Sequence, residues 1–202
     1  MKNINDLPTF ETVIIIINVN TWTSTTLAVL SAKKAADYPI VVIDCSPDDS
    51  EIEHLSKLSL LLGFYLVKMP LQTHGRTLDL LFRTVNAKYV LLLDSDAEII
   101  DYSLFKNELL HEKDTFGVGF VHGPCPLSEP KYPGMAKFKF YQERMFIPCV
   151  LLKREKIIEA LDAGCSFDIK ERFNDFPVPF IARQLKRRFH FKFFQKHDFP
   201  LL

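Results

Sequence analysis

The chain has 202 residues, 48% of them hydrophobic, which is enough to bury the core of one domain. Lysine plus arginine equals aspartate plus glutamate at 25 each, so the net charge gives no indication of a nucleic-acid or polyanionic partner. The four cysteines show no CxxC pair and no metal-ligand spacing, which predicts reduced thiols in a cytosolic chain.

The first half of the chain alternates short apolar runs with helical patterns. Strands are predicted at four apolar runs, Val13–Ile17, Pro39–Ile43, Phe64–Val67 and Tyr89–Leu93. Helices are predicted between them, at Thr21–Ala36 with Leu27 and Leu30 on one face, from Asp49 or Ser50 to Gly63, and from Gly75 along a stripe ending at Val85. This βαβαβαβ order with short loops predicts an α/β domain whose mostly parallel sheet is covered by helices on both faces.

The second half is less regular. Its predicted elements are a helix near Tyr102–His111, a strand at Phe116–Val121, a Pro- and Gly-rich loop over 123–135, a strand or strand pair in Lys137–Val150 and a helix at Lys153–Leu161. Basic and aromatic residues alternate over Arg187–Phe194, which favours a half-buried strand. Residues 1–12 show no signal-peptide pattern, and no window approaches the roughly 20 apolar residues of a membrane span. These features predict a cytoplasmic protein.

Two aspartates, Asp94 and Asp96, directly follow the apolar run Val90–Leu93. Side chains at positions i and i+2 of an extended chain point the same way, so both carboxylates should converge at the carboxyl end of a strand, where open α/β sheets bind ligands. Like charges held together favour a cation between them, and hard ions such as Mg²⁺ and Mn²⁺ take oxygen ligands. A divalent-cation site is therefore predicted. The alternative is a solvated turn with two acidic caps.

The order of the motifs resembles that of GT-A glycosyltransferases, specifically the large bacterial family 2. The resemblance is carried by four segments, Asn18-Val19-Asn20-Thr21, the acidic turn Asp44 to Asp49, Gly75-Arg76 and Asp94-Ser95-Asp96. It is clear over residues 11–100 and weaker from 116 to about 190. It implies a single GT-A domain over 1–202, with a nucleotide-sugar-binding half at 11–100 and a shortened acceptor-side half at 101–202.

The resemblance implies transfer of a sugar from a nucleotide donor, a UDP-sugar, to a hydroxyl of a saccharide or lipid-linked acceptor, with Mn²⁺ or Mg²⁺ and inversion at the anomeric carbon. Asp96 would be the more direct metal ligand, and Asp94 would contact ribose as well as metal. Asp44 would accept hydrogen bonds from the base, and Asn18 and Asn20 would contact the nucleoside. The alternative for the asparagines and Asp44 is a turn-forming role.

Further side chains extend the predicted site. Arg76 lies near the amino end of a helix, where charge and helix dipole both favour a phosphate, although a surface arginine is the alternative. His74 beside it has no indication beyond proximity. His197 and His122 are candidates for a further metal contact, against the commoner structural or exposed histidine. Lipid-linked acceptors leave peripheral contact at the inner face of the membrane open for the basic and aromatic stretch Arg187–Phe194.

The general base departs from the family pattern. The family carries a Glu-Asp pair ahead of an Arg-Leu, and aligning on Arg183-Gln184-Leu185 places Phe176 and Pro177 at the acidic positions. Asp175 next to them is the candidate general base, and Glu171 is a second. The alternative for both is a helix-capping or surface acid. The missing pair favours a degenerate domain that binds nucleotide or a partner without turnover as the alternative to an enzyme.

A phosphohydrolase of the haloacid dehalogenase type is a further alternative, because it also places Asp-x-Asp after an apolar strand. There the motif usually lies near the N-terminus and continues into Gly-Thr or a similar pair. Here it begins at Asp94 and continues into Ala97-Glu98, which favours the glycosyltransferase interpretation. No feature of the sequence indicates an oligomeric state.

Overall fold

A computed structural model describes residues 3–102, 117–122, 144–168, 172–173, 176–177 and 192–194. The predicted helix that follows Tyr102 and the predicted loop over 123–135 lie outside these ranges. None of the described helices is long and apolar enough to cross a membrane.

Seven of the described strands form one sheet, in the order β3-β2-β1-β4-β6-β5-β9, and two more pair with each other. Their bounds are β1 Phe10–Asn18, β2 Ile40–Asp44, β3 Tyr65–Lys68, β4 Ala87–Asp94, β5 Gly117–His122, β6 Arg144–Lys153, β7 Arg172–Phe173, β8 Phe176–Pro177 and β9 Lys192–Phe194. Strands β1 to β4 pair in parallel, whereas β6 is antiparallel to both β4 and β5. The predicted α/β fold with a mostly parallel sheet is confirmed.

Four helices connect these strands, α1 Trp22–Ala35, α2 Asp49–Leu62, α3 His74–Thr84 and α4 Arg154–Asp162. Helix α2 is capped by Asp48, whose carboxylate accepts the Ser50 N–H at 2.8 Å, and ends at Gly63 in the left-handed conformation (φ 68°). The predicted cap at Asp49 or Ser50 is wrong by one residue, because two adjacent aspartates are equally good caps and the helix begins after the first. Gly63 closes the helix as predicted.

The sheet carries one apolar layer on each face. Val13 and Ile15 of β1 pack with α3 and α4, whereas Ile14 and Ile16 pack with α1 and α2. Burial on both faces explains why the parallel strands are uninterrupted apolar runs in the sequence. Helix α1 faces the sheet with four residues at helical spacing, Thr25, Ala28, Val29 and Ala32.

Leu27 and Leu30 lie on the outer side of α1, 53% and 45% exposed. They form a single i, i+3 pair, whereas the buried residues of this helix complete an i, i+3, i+4, i+7 stripe, which defines the inner face.

Helix α3 is fastened to the segment that follows α4. The Asp79 carboxylate accepts hydrogen bonds from the Ser166 hydroxyl and, at 2.8 Å, from the Phe167 N–H. The Phe167 ring stacks on Phe82 with 5.5 Å between centroids. A Cβ on Gly75 would lie 2.5 Å from the Asp168 Cα and closer still to the Phe167 carbonyl. Glycine is therefore required at position 75 by the close approach of two backbones.

A Gly75→Ala variant is expected to lose about 1–3 kcal/mol in its free energy of unfolding, because the backbone at 167–168 must move. This loss outweighs the roughly 1 kcal/mol by which alanine favours a helix over glycine. Urea unfolding of the full chain measures it. Leu80→Ala, at a 45% exposed position of the same helix, is the control and should stay within about 0.5 kcal/mol of the parent. A Gly75→Ala protein as stable as the parent would contradict the close approach.

Candidate functional site

The four parallel strands end in one row of polar side chains. Asp44 pairs in register with Asn18 on one side and with Lys68 on the other, and Ile17 pairs with Asp94. Three residues predicted for the site, Asn18, Asp44 and Asp94, therefore share the carboxyl edge of the sheet. Open α/β sheets bind their ligands outside this edge.

Asn18 is fully buried and its side-chain amide is shared among several neighbours. Its Nδ2 donates to Asp44 Oδ1 (2.8 Å), Ser46 Oγ (3.1 Å) and Glu51 Oε2 (3.2 Å). Its Oδ1 accepts hydrogen bonds from Thr25 Oγ1 at 2.7 Å and from the N–H and hydroxyl of Thr21 at 3.3 and 3.0 Å. Asn18 thereby holds the ends of β1 and β2 and the starts of α1 and α2 together. Its predicted contact with a nucleoside stays a prediction.

Asp44 is a buried carboxylate with a cationic partner. Lys68 Nζ lies 2.7 Å from Asp44 Oδ2 and 2.6 Å from the Ser46 carbonyl oxygen. The Ser46 hydroxyl donates to Asp44 Oδ1 at 2.6 Å. Burial alone would raise the pKa of Asp44, but the hydrogen bonds from Lys68, Ser46 and Asn18 bring it below the ordinary value. Asp44 therefore stays ionised at neutral pH, with fixed carboxylate oxygens.

The amino terminus of α1 is already occupied by an acidic side chain. Glu51 Oε2 accepts the Trp22 N–H at 2.9 Å, and Glu51 is only 9% exposed. A carboxylate in this place neutralises the positive end of the helix dipole and would repel a diphosphate. This disfavours the phosphate-binding mode in which a dinucleotide's pyrophosphate rests on the first helix of the sheet. The end of β4 is therefore the remaining candidate for a diphosphate site at this edge of the sheet.

Asn20 lies beside this network with a left-handed backbone (φ 55°), which asparagine adopts more easily than most residues. Its N–H donates to Ser46 Oγ at 2.8 Å, and the residue is exposed at the edge of the site. The Thr21 hydroxyl lies 3.2 Å from the Oγ of Ser95, which is the middle residue of the Asp-x-Asp motif. The end of β1 and that motif are thus joined by a direct side-chain contact.

Strand β4 ends at Asp94, and the next two residues form a turn in which the Ala97 N–H donates to the Asp94 carbonyl at 3.1 Å. The expectation that extended-chain alternation aligns Asp94 with Asp96 is therefore wrong, because the chain turns before Asp96. The two carboxylates still interact. Burial raises the pKa of Asp94, the charge of His74 lowers it, and the charge of Asp96 raises it further, leaving it above the ordinary value.

The carboxylates of Asp94 and Asp96 have the ligand chemistry of a divalent cation bound together with phosphate oxygens, and their predicted metal site stays a prediction. Asp94 is partly buried, Asp96 is exposed, and within the described residues the Asp94 carboxylate accepts no hydrogen bond. Mg²⁺ and Mn²⁺ are commonly held by one or two carboxylates plus substrate phosphates rather than by a complete protein cage. In the described part of the chain, no group of three or more His, Cys, Asp or Glu residues is placed to hold a metal alone.

Several predicted site residues lie outside the described residues. These are the candidate bases Asp175 and Glu171 and the candidate metal ligand His197. His122 is the last residue of β5, and the structure describes only its backbone. Phe176 and Pro177 form β8, which pairs antiparallel with β7. The predictions for these acids and histidines stay predictions.

Arg76 has a protein partner. Its Nε lies 2.9 Å from Asp168 Oδ2, while the Thr73 hydroxyl donates to Asp168 Oδ1 at 2.7 Å. The Arg76 side chain is 67% exposed. Its predicted contact with a phosphate stays a prediction. His74, two residues earlier, lines a small cavity together with Asp94.

The fold is shared with solved structures of S. aureus TarS. TarS 1–349 aligns with a TM-score of 0.52 and 16% identity, over 82% of this chain and 52% of that chain. Its complex with UDP gives 0.53 and 16%, over 82% and 53%. Its complex with UDP-GlcNAc gives 0.51 and 17%, over 78% and 48%. No family model and no curated protein matches the sequence.

At these identities the likeness establishes the fold alone, an α/β domain of the GT-A type. The chain spans about half the length of TarS 1–349. Lys68, Ser46 and Glu51, which complete the network at the strand ends, were not predicted from the sequence.

Proposed function

We propose that the chain is a glycosyltransferase that moves a sugar from a nucleotide donor, a UDP-sugar, to a hydroxyl acceptor. The observation that carries this proposal is the Asp94–Asp96 pair at the central strand end, next to a first helix whose amino terminus is closed to phosphate by Glu51. A diphosphate is then best held through a cation on the two aspartates. The complexes of TarS with UDP and UDP-GlcNAc, on the same fold, support a uridine nucleotide.

Asp94 and Asp96 would hold Mn²⁺ or Mg²⁺, with Asp96 as the more direct ligand. When bound, the cation offsets the negative charge that builds on the departing nucleoside diphosphate. Asp44, kept ionised by Lys68, would accept a hydrogen bond from a base N–H, and because its side chain is fully buried this contact requires the surrounding residues to move. Asn18 keeps Asp44 and Ser46 in place, and the exposed Asn20 would contact ribose or base.

The acceptor side of the proposal rests on the sequence. Asp175, or Glu171, would take the proton from the acceptor hydroxyl as its oxygen attacks the anomeric carbon, with inversion there and release of the nucleoside diphosphate. The acceptor would be a saccharide or a lipid-linked saccharide, as in cell-surface polysaccharide assembly. A cytoplasmic location, peripheral at the inner face of the membrane, would suit such an acceptor.

Calorimetric titration with UDP, GDP and dTDP, each with and without Mn²⁺, tests the donor site. We expect UDP to bind in the presence of Mn²⁺ and to bind at least about tenfold more weakly without it, because the two carboxylates otherwise repel the diphosphate. GDP and dTDP are the matched nucleotide controls. Absence of binding by all three nucleotides under both conditions would overturn the proposed function.

A domain that binds nucleotide without turnover is the second candidate, favoured by Phe176 and Pro177 at the positions of the expected acids. Release of UDP from UDP-sugars separates the two, measured with Mn²⁺ and a panel of saccharide acceptors. Turnover that Asp175→Asn or Glu171→Gln abolishes would establish the enzyme and its base. UDP binding without UDP release would favour the binding domain.

A further inference from the structure

His74 is the first residue of α3, and it faces the end of β4. Its side chain lines a small cavity together with six other residues, Ile15, Ile17, Leu78, Leu92, Leu93 and Asp94. Leu78 lies one helical turn further along on the same face of α3 and is buried against the sheet. The cavity therefore has an apolar floor, with Asp94 and His74 as its two polar side chains.

The imidazole of His74 is exposed and makes no hydrogen bond within the described residues. Two charged groups act on Asp94, the like charge of Asp96 and the opposite charge of His74. Arg76, two residues further along the helix, is instead paired with Asp168. His74 is thus a hydrogen-bond donor of α3 beside Asp94 that has no hydrogen-bond partner among the described residues.

We propose that His74 donates a hydrogen bond from its imidazole to a phosphate of the nucleotide-sugar donor bound at Asp94 and Asp96. This inference rests on the proposed function, which places a diphosphate at these aspartates. An imidazole N–H donates in both the neutral and the protonated form, so the contact does not require a particular charge state.

The need for a hydrogen-bond donor at His74 follows from the charges at the proposed diphosphate site. Two carboxylates and a diphosphate together carry more negative charge than one divalent cation neutralises, so a donor from the protein is needed on the opposite side. His74 lines the same small cavity as Asp94 and can supply this donor. Arg76 would have to leave Asp168 or share its guanidinium to serve in the same way.

The test compares UDP and uridine binding to the full-length parent and to His74→Ala, in Mn²⁺. We expect UDP to bind the variant about tenfold to a hundredfold more weakly, the range for a hydrogen bond to a charged group, with uridine binding unchanged. His74→Lys, which restores a donor of longer reach, should recover part of the UDP affinity. His54→Ala is the control, because this histidine lies on α2 and does not line the cavity of Asp94; its ring stacks on Trp22 with 4.6 Å between centroids.

The outcomes separate this inference from the proposed function. If the parent and His74→Ala bind UDP equally, the role of His74 is overturned while the donor site stands. If His74→Ala weakens UDP and uridine alike, the residue acts on the shape of the site and not on phosphate, which also overturns it. If the parent binds no UDP, the proposed function fails, and the phosphate contact fails with it.

Discussion

Replacing Asp96 by alanine is expected to remove the effect of Mn²⁺ on UDP binding, so that the variant binds UDP equally weakly with and without the metal. Asp96 is exposed, and its charge acts on Asp94, so the substitution removes one of two candidate ligands without disturbing the core. A single remaining carboxylate holds a hard divalent ion far less well. Calorimetric titration of the variant measures the loss, which should match the Mn²⁺ effect in the parent, at least about tenfold in the presence of Mn²⁺.

Glu98→Ala is the matched control, because Glu98 is an exposed acid two residues beyond Asp96. It should bind UDP as the parent does, and both variants should melt at the temperature of the parent, since neither side chain is buried. Mn²⁺-dependent UDP binding that survives in Asp96→Ala would place the cation, and with it the diphosphate, elsewhere.

An Asn18→Leu variant is expected to lose about 3–5 kcal/mol in its free energy of unfolding. Leucine has nearly the same shape but accepts and donates nothing, so the hydrogen bonds to Asp44, Glu51 and Thr25 vanish inside the protein. Two of these partners are carboxylates, and a buried charge that loses a donor is among the costliest single changes. Urea unfolding followed by circular dichroism measures the loss.

Asn86→Leu provides the comparison, because Asn86 is exposed and donates one side-chain hydrogen bond, to Thr9 at 2.8 Å. It should change the free energy of unfolding by no more than about 1 kcal/mol. Equal stability of Asn18→Leu and the parent would mean that water or a rearranged Lys68 replaces the lost donors, and that the buried network contributes little to stability.

The elements of the first half could be predicted because each carries its own local signal. Apolar runs marked β1 to β4, and the stripe from Leu78 to Val85 marked the buried face of α3. The face of α1 is less obvious, because its two leucines point outward and its inner stripe consists of small side chains. Two leucines three residues apart are easily noticed in the sequence, but a complete i, i+3, i+4, i+7 stripe predicts the buried face of a helix better.

The strand-end residues Asn18, Asp44 and Asp94 could be found from the sequence because polar residues directly follow apolar runs. Lys68 and Glu51 could not, since their contacts depend on which strands become neighbours and on how far α2 lies from α1. The same holds for the approach of His74 to Asp94, which depends on the rotation of α3 about its own axis. Local sequence patterns encode neither the order of the strands, nor the distance between α1 and α2, nor the rotation of α3.

The attachment of α3 to residues 166–168 bears on how the molecule could be divided. All residues proposed to bind the donor precede residue 100. In the same half, however, Asp79 accepts its hydrogen bonds from Ser166 and Phe167, and Gly75 packs against the Phe167 backbone. Strand β6 from the second half covers the edge of β4. A fragment cut at residue 100 would expose the backbone of an apolar strand to self-association. A fragment that ends near residue 100 is therefore not expected to fold on its own.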